Sequence, residues 1–201
     1  MAVAATVAGA LWWRRNPSAC PYGQRFWLEP PRPVITRDRL KEVLDPRPGE
    51  RVLEVGPGTG HYAVPMAGWL GPEGRLDVFD IQQAMLDHTT AKAAQQGLSN
   101  VFPELGDARS LPYDDATFDA AYLVTVLGEI PDRDQALSEL ARVLKLGGRL
   151  VVGELFPDPH FVRRSQLEGA AVRTGLVPGR FAGGSLGYFA RFERVAVAAP
   201  V

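Results

Sequence analysis

Val52-Leu53-Glu54-Val55-Gly56-Pro57-Gly58-Thr59-Gly60 is a short apolar run that meets glycine at every second position. The run predicts a buried strand, the glycines a sharp loop, and the residues from Thr59 to Leu70 a following helix. Glycine in such a loop lets the backbone turn tightly and lets a ligand approach where a Cβ would otherwise stand. A structural tight turn would use the same residues, so the loop alone does not name a ligand.

Outward from this loop, short β-branched runs alternate with helical stretches. Arg75–Asp80, Asn100–Leu105, Phe118–Val124 and Arg149–Phe156 read as strands. Gln82–Gln96 reads as a helix closed by Gly97. Asp132 caps another, with Ala136, Leu137, Leu140, Ala141 and Leu144 on one side and a stop at Gly147-Gly148. Ser165-Gln166-Leu167-Glu168 has capping-box spacing and opens a last helix ending at Gly175. Phe181–Val195, interrupted by Gly183-Gly184, reads as a terminal strand pair. Strands and helices in alternation imply an α/β fold: a doubly wound, mostly parallel seven-stranded sheet covered on both faces. One domain is expected over residues 36–201, preceded by an extension over 1–35.

That extension has two parts. Met1 to Trp13 carries no charge and is followed by Arg14-Arg15. As a helix it would reach roughly 20 Å, short of the ~30 Å hydrocarbon core of a bilayer. A secretory signal would place positive charge before the apolar run, whereas here it comes after. The segment reads as a helix packed on the domain, or as peripheral membrane contact through residues 1–15, with tryptophans at the headgroup level. Asn16 to Pro33, rich in proline and aromatics, reads as an extended arm rather than a helix. Thr36 to Leu44 is a short helix ended by Asp45-Pro46-Arg47-Pro48-Gly49.

Composition narrows the function. With 22 Lys+Arg against 23 Asp+Glu in 201 residues, the chain has no basic surplus for gripping a nucleic-acid backbone. Its one cysteine, Cys20, allows no internal disulfide and no multi-cysteine zinc site, which suits a reducing compartment such as the cytoplasm; no metal is expected. The chemistry lies instead in acids at strand ends. Asp80 ends the second strand, where a carboxylate can accept both hydroxyls of a ribose. Asp107 follows the third, placed to accept from an exocyclic amine while the Ala108 N–H donates to a ring nitrogen. Either aspartate alone would pass as a helix cap or surface charge; Glu54, Asp80 and Asp107 at three successive strand ends form a set.

Glu54-x-Gly56-x-Gly58-x-Gly60, Asp80, Gly106-Asp107-Ala108 and Arg142–Leu150 together resemble the successive motifs of class I S-adenosylmethionine-dependent methyltransferases. Within that class they are most similar to the small-molecule branch containing the ubiquinone/menaquinone biosynthesis C-methyltransferases. The resemblance spans roughly residues 36–195 and implies a Rossmann-like fold with S-adenosyl-L-methionine as cofactor. It further implies that Glu54 and the Gly56, Gly58 and Gly60 backbone hold the methionine portion. Asp80 would then bind the ribose and Ile81 pack on adenine, while Asp107 and Ala108 read the adenine edge and Val124 and Thr125 line the sulfonium side. Dinucleotide enzymes place a pyrophosphate on a G-x-G-x-x-G turn. Here the spacing is G-x-G-x-G behind an acid, and Glu54 would repel a pyrophosphate but can serve an ammonium.

The expected function is in-line methyl transfer to a small, lipophilic acceptor. Two residues are candidates for facing it. Glu129 stands where the family often carries a histidine-bearing sequence, and reads first as a helix-entry charge. His160 follows the fifth strand and reads first as a surface histidine. His61 and His88 read as exposed or packing residues within helices, and Tyr188 as packing in the last strand pair. A nucleic-acid amino-methyltransferase would carry Asp/Asn-Pro-Pro-aromatic after the fourth strand, where this chain has Thr125-Val126-Leu127-Gly128. An arsenic methyltransferase would need several thiols. Two other classes remain open: a non-catalytic cofactor-binding scaffold, and a nicotinamide-dependent oxidoreductase of the related doubly wound fold.

Overall fold

The structure is a computed structural model, described here over residues 17–28 and 32–196. The apolar segment Met1–Trp13 therefore lies outside the described residues.

Seven strands form one sheet: β1 (Arg51–Val55), β2 (Arg75–Asp80), β3 (Val101–Leu105), β4 (Phe118–Val124), β5 (Leu144–Leu155), β6 (Leu176–Gly184) and β7 (Gly187–Arg194). Their order is β3-β2-β1-β4-β5-β7-β6. The first five are mutually parallel, and β7 lies antiparallel between β5 and β6. Alternate residues of each strand serve opposite faces, as the pleat requires. Leu53, Phe79, Ala121, Leu123 and Leu150 pack on one side with helices α4 (Arg133–Val143) and α5 (Arg164–Arg173). Val52, Val78, Ala120, Tyr122 and Val151 pack on the other with α1 (Arg37–Leu44), α2 (Ala63–Leu70) and α3 (Gln83–Gln95). Two cores on one central sheet are what near-continuous apolar strands predict. The doubly wound α/β expectation stands.

Local boundaries differ from the sequence reading in four places. Thr59–Tyr62 is turn rather than helix, because Gly60 holds φ at +71° and α2 starts at Ala63. The helix capped by Asp132 stops at Val143, not at the glycine pair: Leu144 is already extended and pairs with Phe118, so β5 runs through Gly147-Gly148. The last helix opens at Arg164, with the Gln166 side chain accepting from Arg163 N, so Ser165 is inside the helix and not its cap. The arm contains a seven-residue 3-10 helix, Tyr22–Leu28, between its prolines, where an extended chain was expected.

The sheet changes direction of growth at β1. From there the chain builds outward through β2 and β3, then returns to β4 on the other side. Open α/β sheets bind ligands outside the carboxyl ends of their strands at such a point.

Candidate functional site

A cavity of about 310 Å³ opens at that position. The β1 loop supplies Val55 through Thr59, the β2 end supplies Phe79 through Gln82, and the β3 end supplies Gly106 through Arg109. Val124, Thr125 and Val126 come from the β4 end, and Glu129, Ile130 and Pro131 from the turn that follows. The arm closes the remaining side with Pro17, Ser18, Ala19, Cys20 and Arg32.

The loop owes its shape to its glycines. Gly56, Gly58 and Gly60 all hold φ between +55° and +71°, a region that residues with a Cβ rarely adopt. A Cβ on Gly56 would also run into the Val126 side chain. Gly56 N donates to Phe79 O at 2.8 Å, tying the loop to β2. Thr89 Oγ1 and Lys92 Nζ, both on α3, donate to Gly58 O at 3.1 Å and Thr59 O at 2.9 Å. A strand on one side and a helix on the other thus fix the loop.

Asp80 lies on the wall at 8% exposure, its Oδ1 accepting from Gln82 N at 2.8 Å. Burial pushes its carboxyl up to about 6, against the hydrogen bonds from Gln82 and Ile81. Ile81 sits at the cavity's edge, 59% exposed. Ala108 is buried on the wall. Asp107 is there too, but it is held in a fork by Arg109, whose NH2 donates at 2.6 Å and Nε at 3.0 Å to Oδ2. That pairing keeps the Asp107 carboxyl below its ordinary range.

Glu54 and Gly60 do not bound the cavity directly. Glu54 is 2% exposed and accepts from Tyr122 Oη at 2.7 Å. Burial raises it to about 8, with Asp80 adding to the rise against the Tyr122 hydrogen bond. Val124 and Thr125 line the cavity, and Thr125 holds φ at +56°, turning the chain sharply into the next segment.

Of the two acceptor-facing candidates, Glu129 is on the wall and His160 is not. His160 is buried at 8% exposure, and its backbone N donates to Asp158 Oδ1 at 2.7 Å. The reading of a surface histidine is corrected by packing: a Cβ on Gly128 would collide with the His160 carbonyl, so the segment is pressed against the Leu127–Glu129 turn.

Sequence reasoning missed three contributors. His61, expected in a helix, lies in the turn before α2, lines the cavity, and meets Arg37 NH2 at 3.3 Å through Nδ1. Burial, with Arg37, Arg32 and Lys92 nearby, lowers it to about 4, so it is neutral at physiological pH. Gln82 straps the arm down: its Nε2 donates to Cys20 O at 2.9 Å and its Oε1 accepts from Tyr22 N at 3.0 Å. Cys20 N in turn donates to Glu129 Oε2 at 3.3 Å. These contacts join residues 60 to 109 positions apart, and no local pattern signals them.

The donor set fits a nucleoside bearing an amino acid: a carboxylate at the β2 end for hydroxyls, an apolar slot between Ile81, Met85 and Ala108 for a base, and open loop backbone for the remainder. Strand order and the position of the cavity are those of the class I S-adenosylmethionine-dependent methyltransferase fold. The chain belongs to the ubiE/COQ5 methyltransferase family, which its residues 34–162 match. It is 40% identical over 120 residues to the ubiquinone/menaquinone biosynthesis C-methyltransferase of Teredinibacter turnerae, covering 59% of this chain and 48% of that one. It is 34% identical over 128 residues to the nocamycin O-methyltransferase of Saccharothrix syringae, covering 64% and 45%. The chain spans about half the length of these relatives. Among solved structures, a methyltransferase from Aquifex aeolicus superposes with a TM-score of 0.81 at 21% identity, covering 88% of this chain and all of the other. The [4+2]-cyclase SpnF superposes at 0.66 with 30% identity, covering 72% of this chain and 57% of that one.

Proposed function

We propose that the chain transfers a methyl group from S-adenosyl-L-methionine to a small, lipophilic acceptor. The observation that carries this reading is the convergence of the Gly56–Thr59 loop, Asp80 and Val124–Val126 on one cavity at the switch point of the sheet. When bound, the cofactor supplies a methyl on a sulfonium, a good leaving group. The protein's task is therefore alignment and water exclusion, which are worth up to about 7–11 kcal/mol. Asp80 would hold ribose hydroxyls, with Ile81 and Ala108 flanking the base. Asp107 would read the base's amine only by sharing its carboxylate with Arg109. Glu54, buried against Tyr122, would act on the amino-acid end from behind the loop and hold its backbone in place.

A lipophilic acceptor is supported by the apolar run Val124, Val126, Ile130 and Pro131, and by relatives named for quinone biosynthesis. The apolar run Met1–Trp13 with Arg14-Arg15 behind it supports peripheral contact with a membrane surface, and the single cysteine supports a cytoplasmic protein. No helix among the described residues is long and apolar enough to cross a membrane. Residues 1–35 are in this reading an extension, of which Pro17–Cys20 and Arg32 border the site of a single domain over 36–201.

The test is calorimetry with S-adenosylhomocysteine and NAD on the full chain. Binding of the first and not the second is expected, and the reverse overturns the reading in favour of an oxidoreductase. The likeness to a named cyclase gives the non-transferring alternative its footing: cofactor binding without label transfer from a methyl-labelled donor to any lipid or metabolite extract would favour it. Deleting residues 1–15 should reduce co-sedimentation with liposomes, and unchanged partitioning removes the membrane proposal.

A further inference from the structure

One cavity carboxylate is left without a role by cofactor binding. Glu129 sits at the end of the turn that continues from Val124–Val126, the stretch on the sulfonium side of the proposed donor site. Its surroundings are unusual for a surface glutamate. Asp158 faces it from the loop after β5, Asp80 from the end of β2, and Cys20 from the arm, whose backbone N–H it accepts. Behind Asp158 lies Glu154, 1% exposed, with Oε2 accepting from Val162 N at 3.1 Å and Oε1 finding no partner among the described residues. Arg133 acts on Glu154 and Arg32 on Asp158, whereas the charges acting on Glu129 itself are those of the carboxylates Asp158 and Asp80.

We propose that Glu129 is the general base of the transfer, accepting the proton of the methyl-accepting atom, and that the donor's sulfonium charge keeps it in carboxylate form for that purpose. The inference rests on the methyl-transfer reading above. In the step, the acceptor atom forms a bond to the methyl carbon as the carbon–sulfur bond breaks, and that bond's electron pair stays on sulfur. The acceptor's proton passes to Glu129. A sulfonium and a carboxylate thus become a neutral thioether and a neutral acid, so the charge pair cancels. The acceptor belongs to the class that loses a proton on methylation: a hydroxyl, an amine, or an acidic carbon.

Burial and then the neighbouring carboxylates push Glu129 up to about 8, so without ligand at neutral pH it is mostly protonated. A bound cation beside it reverses that preference. Comparing two ligands isolates the effect, because S-adenosylmethionine and S-adenosylhomocysteine share ribose, base and amino acid and differ in the sulfonium charge. Protons exchanged at Asp80 or Glu54 because of the shared parts cancel in the difference.

The test is calorimetry of both ligands on the full chain at pH 7.5, in buffers of different ionisation enthalpy. S-adenosylmethionine should release about half a proton more than S-adenosylhomocysteine, and the ratio of their affinities should rise with pH between 6 and 8. In Glu129→Gln the excess should vanish, and in Glu129→Asp it should persist, with the thermal midpoint of each reporting folding. Label transfer from a methyl-labelled donor into a lipid extract should drop at least about 100-fold in Glu129→Gln. Equal proton release by the two ligands in the unmodified protein overturns the proposal. So does an excess that survives in folded Glu129→Gln, or label transfer by that variant at the unmodified rate. Failure of both ligands to bind would instead overturn the methyl-transfer reading beneath it.

Discussion

Apart from Asp107, which Arg109 pairs at the β3 end, the two ends of the parallel strands treat the same residue type in opposite ways. Where the strands begin, carboxylates are paired with cations. Asp77, 3% exposed at its side chain, takes two bonds from Arg51 at 3.0 Å and two from Arg75 at 2.9 Å. Asp119 takes Lys145 at 2.6 Å and Arg51 N at 2.9 Å, and Glu50 takes Arg149 at 2.5 Å. Burial alone would raise Asp77 and Asp119, but hydrogen bonds from the basic partners overcome it and hold both below their ordinary range. Where the strands end, Glu54, Asp80 and Glu129 face burial, hydrogen bonds and one another, and all three are raised. A fold stabilises a buried charge by pairing it; carboxylates left raised at one end are a cost that a bound ligand can offset. Strongly perturbed acids gathered in one cleft mark a functional site more often than a structural one.

The sharpest break of this contrast exchanges one aspartate from each end. Asp77→Ala leaves two guanidiniums converging on an empty site. Removing one partner of a buried pair costs about 3–5 kcal/mol. Since Arg51 and Arg75 are 35% and 43% exposed and can swing to water, the lower bound, roughly 3 kcal/mol, is expected from urea denaturation. Affinity for S-adenosylhomocysteine should change less than about twofold, because the site is at the opposite end. Asp80→Ala should do the converse: affinity falls about 10–100-fold on loss of charge-assisted hydrogen bonds of roughly 1.5–3 kcal/mol. Its stability should stay within about 1 kcal/mol, since the carboxylate removed was itself raised by burial. Unfolding by Asp80→Ala, or lost affinity in folded Asp77→Ala, would erase the distinction between the ends.

Much of the site end was legible from sequence because its parts are local. A strand followed by alternate glycines, an acid closing the next strand, and Gly106-Asp107-Ala108 after the third are each contiguous, and parallel strand order alone brings their ends together. What was not legible depends on contacts between distant segments. The sequence places Glu54 at the ligand, directly or through water, but gives no sign that Tyr122, 68 positions away, donates to its carboxylate behind the wall. His61 reads as helical because nothing in Thr59-Gly60-His61-Tyr62 marks the extra turn that brings it to the cavity. The burial of His160 is not legible because the missing Cβ of Gly128, which lets the two loops touch, has no meaning until both are placed.

A smaller effect sharpens the comparison through pH. Glu54, Glu129 and Glu154 are each raised from about 4.5 to about 8, with burial the leading cause. A carboxyl that binds its proton more tightly folded than unfolded stabilises the fold at low pH, and that contribution is lost as pH rises through the folded value. The ligand-free protein should therefore lose stability between about pH 5 and pH 8, with a fall of several degrees in thermal midpoint on a scale of roughly 2–4 °C per kcal/mol. The paired acids have the opposite sign: Asp77 and Asp119, held low, contribute above their unfolded values and lose that contribution only in acid. Glu154→Gln should flatten the alkaline fall, while Asp119→Asn should leave it and weaken the protein in neutral solution. An alkaline fall of undiminished slope in Glu154→Gln would mean that this buried carboxyl titrates alike in folded and unfolded chains.

The least of the expected effects concerns the cover over the raised end. Gln82 is a single side chain that both donates to and accepts from the arm, and its backbone N–H also reaches Asp80. Gln82→Ala keeps the backbone bond to Asp80 and removes the two to the arm, each worth about 1 kcal/mol net. Cys20 N remains bonded to Glu129, so the arm should stay in place most of the time but open more often. Proteolysis within residues 17–28 should accelerate several-fold, affinity for S-adenosylhomocysteine should weaken by less than about fivefold, and both association and dissociation should quicken. The paired end offers no equivalent. There, strand-borne cations satisfy the carboxylates directly and nothing has to lift for a ligand to enter. If the arm's cleavage rate proves indifferent to Gln82, the arm is held by its prolines and the Glu129 contact instead, and the raised carboxylates are shielded by packing rather than by a strap that can release.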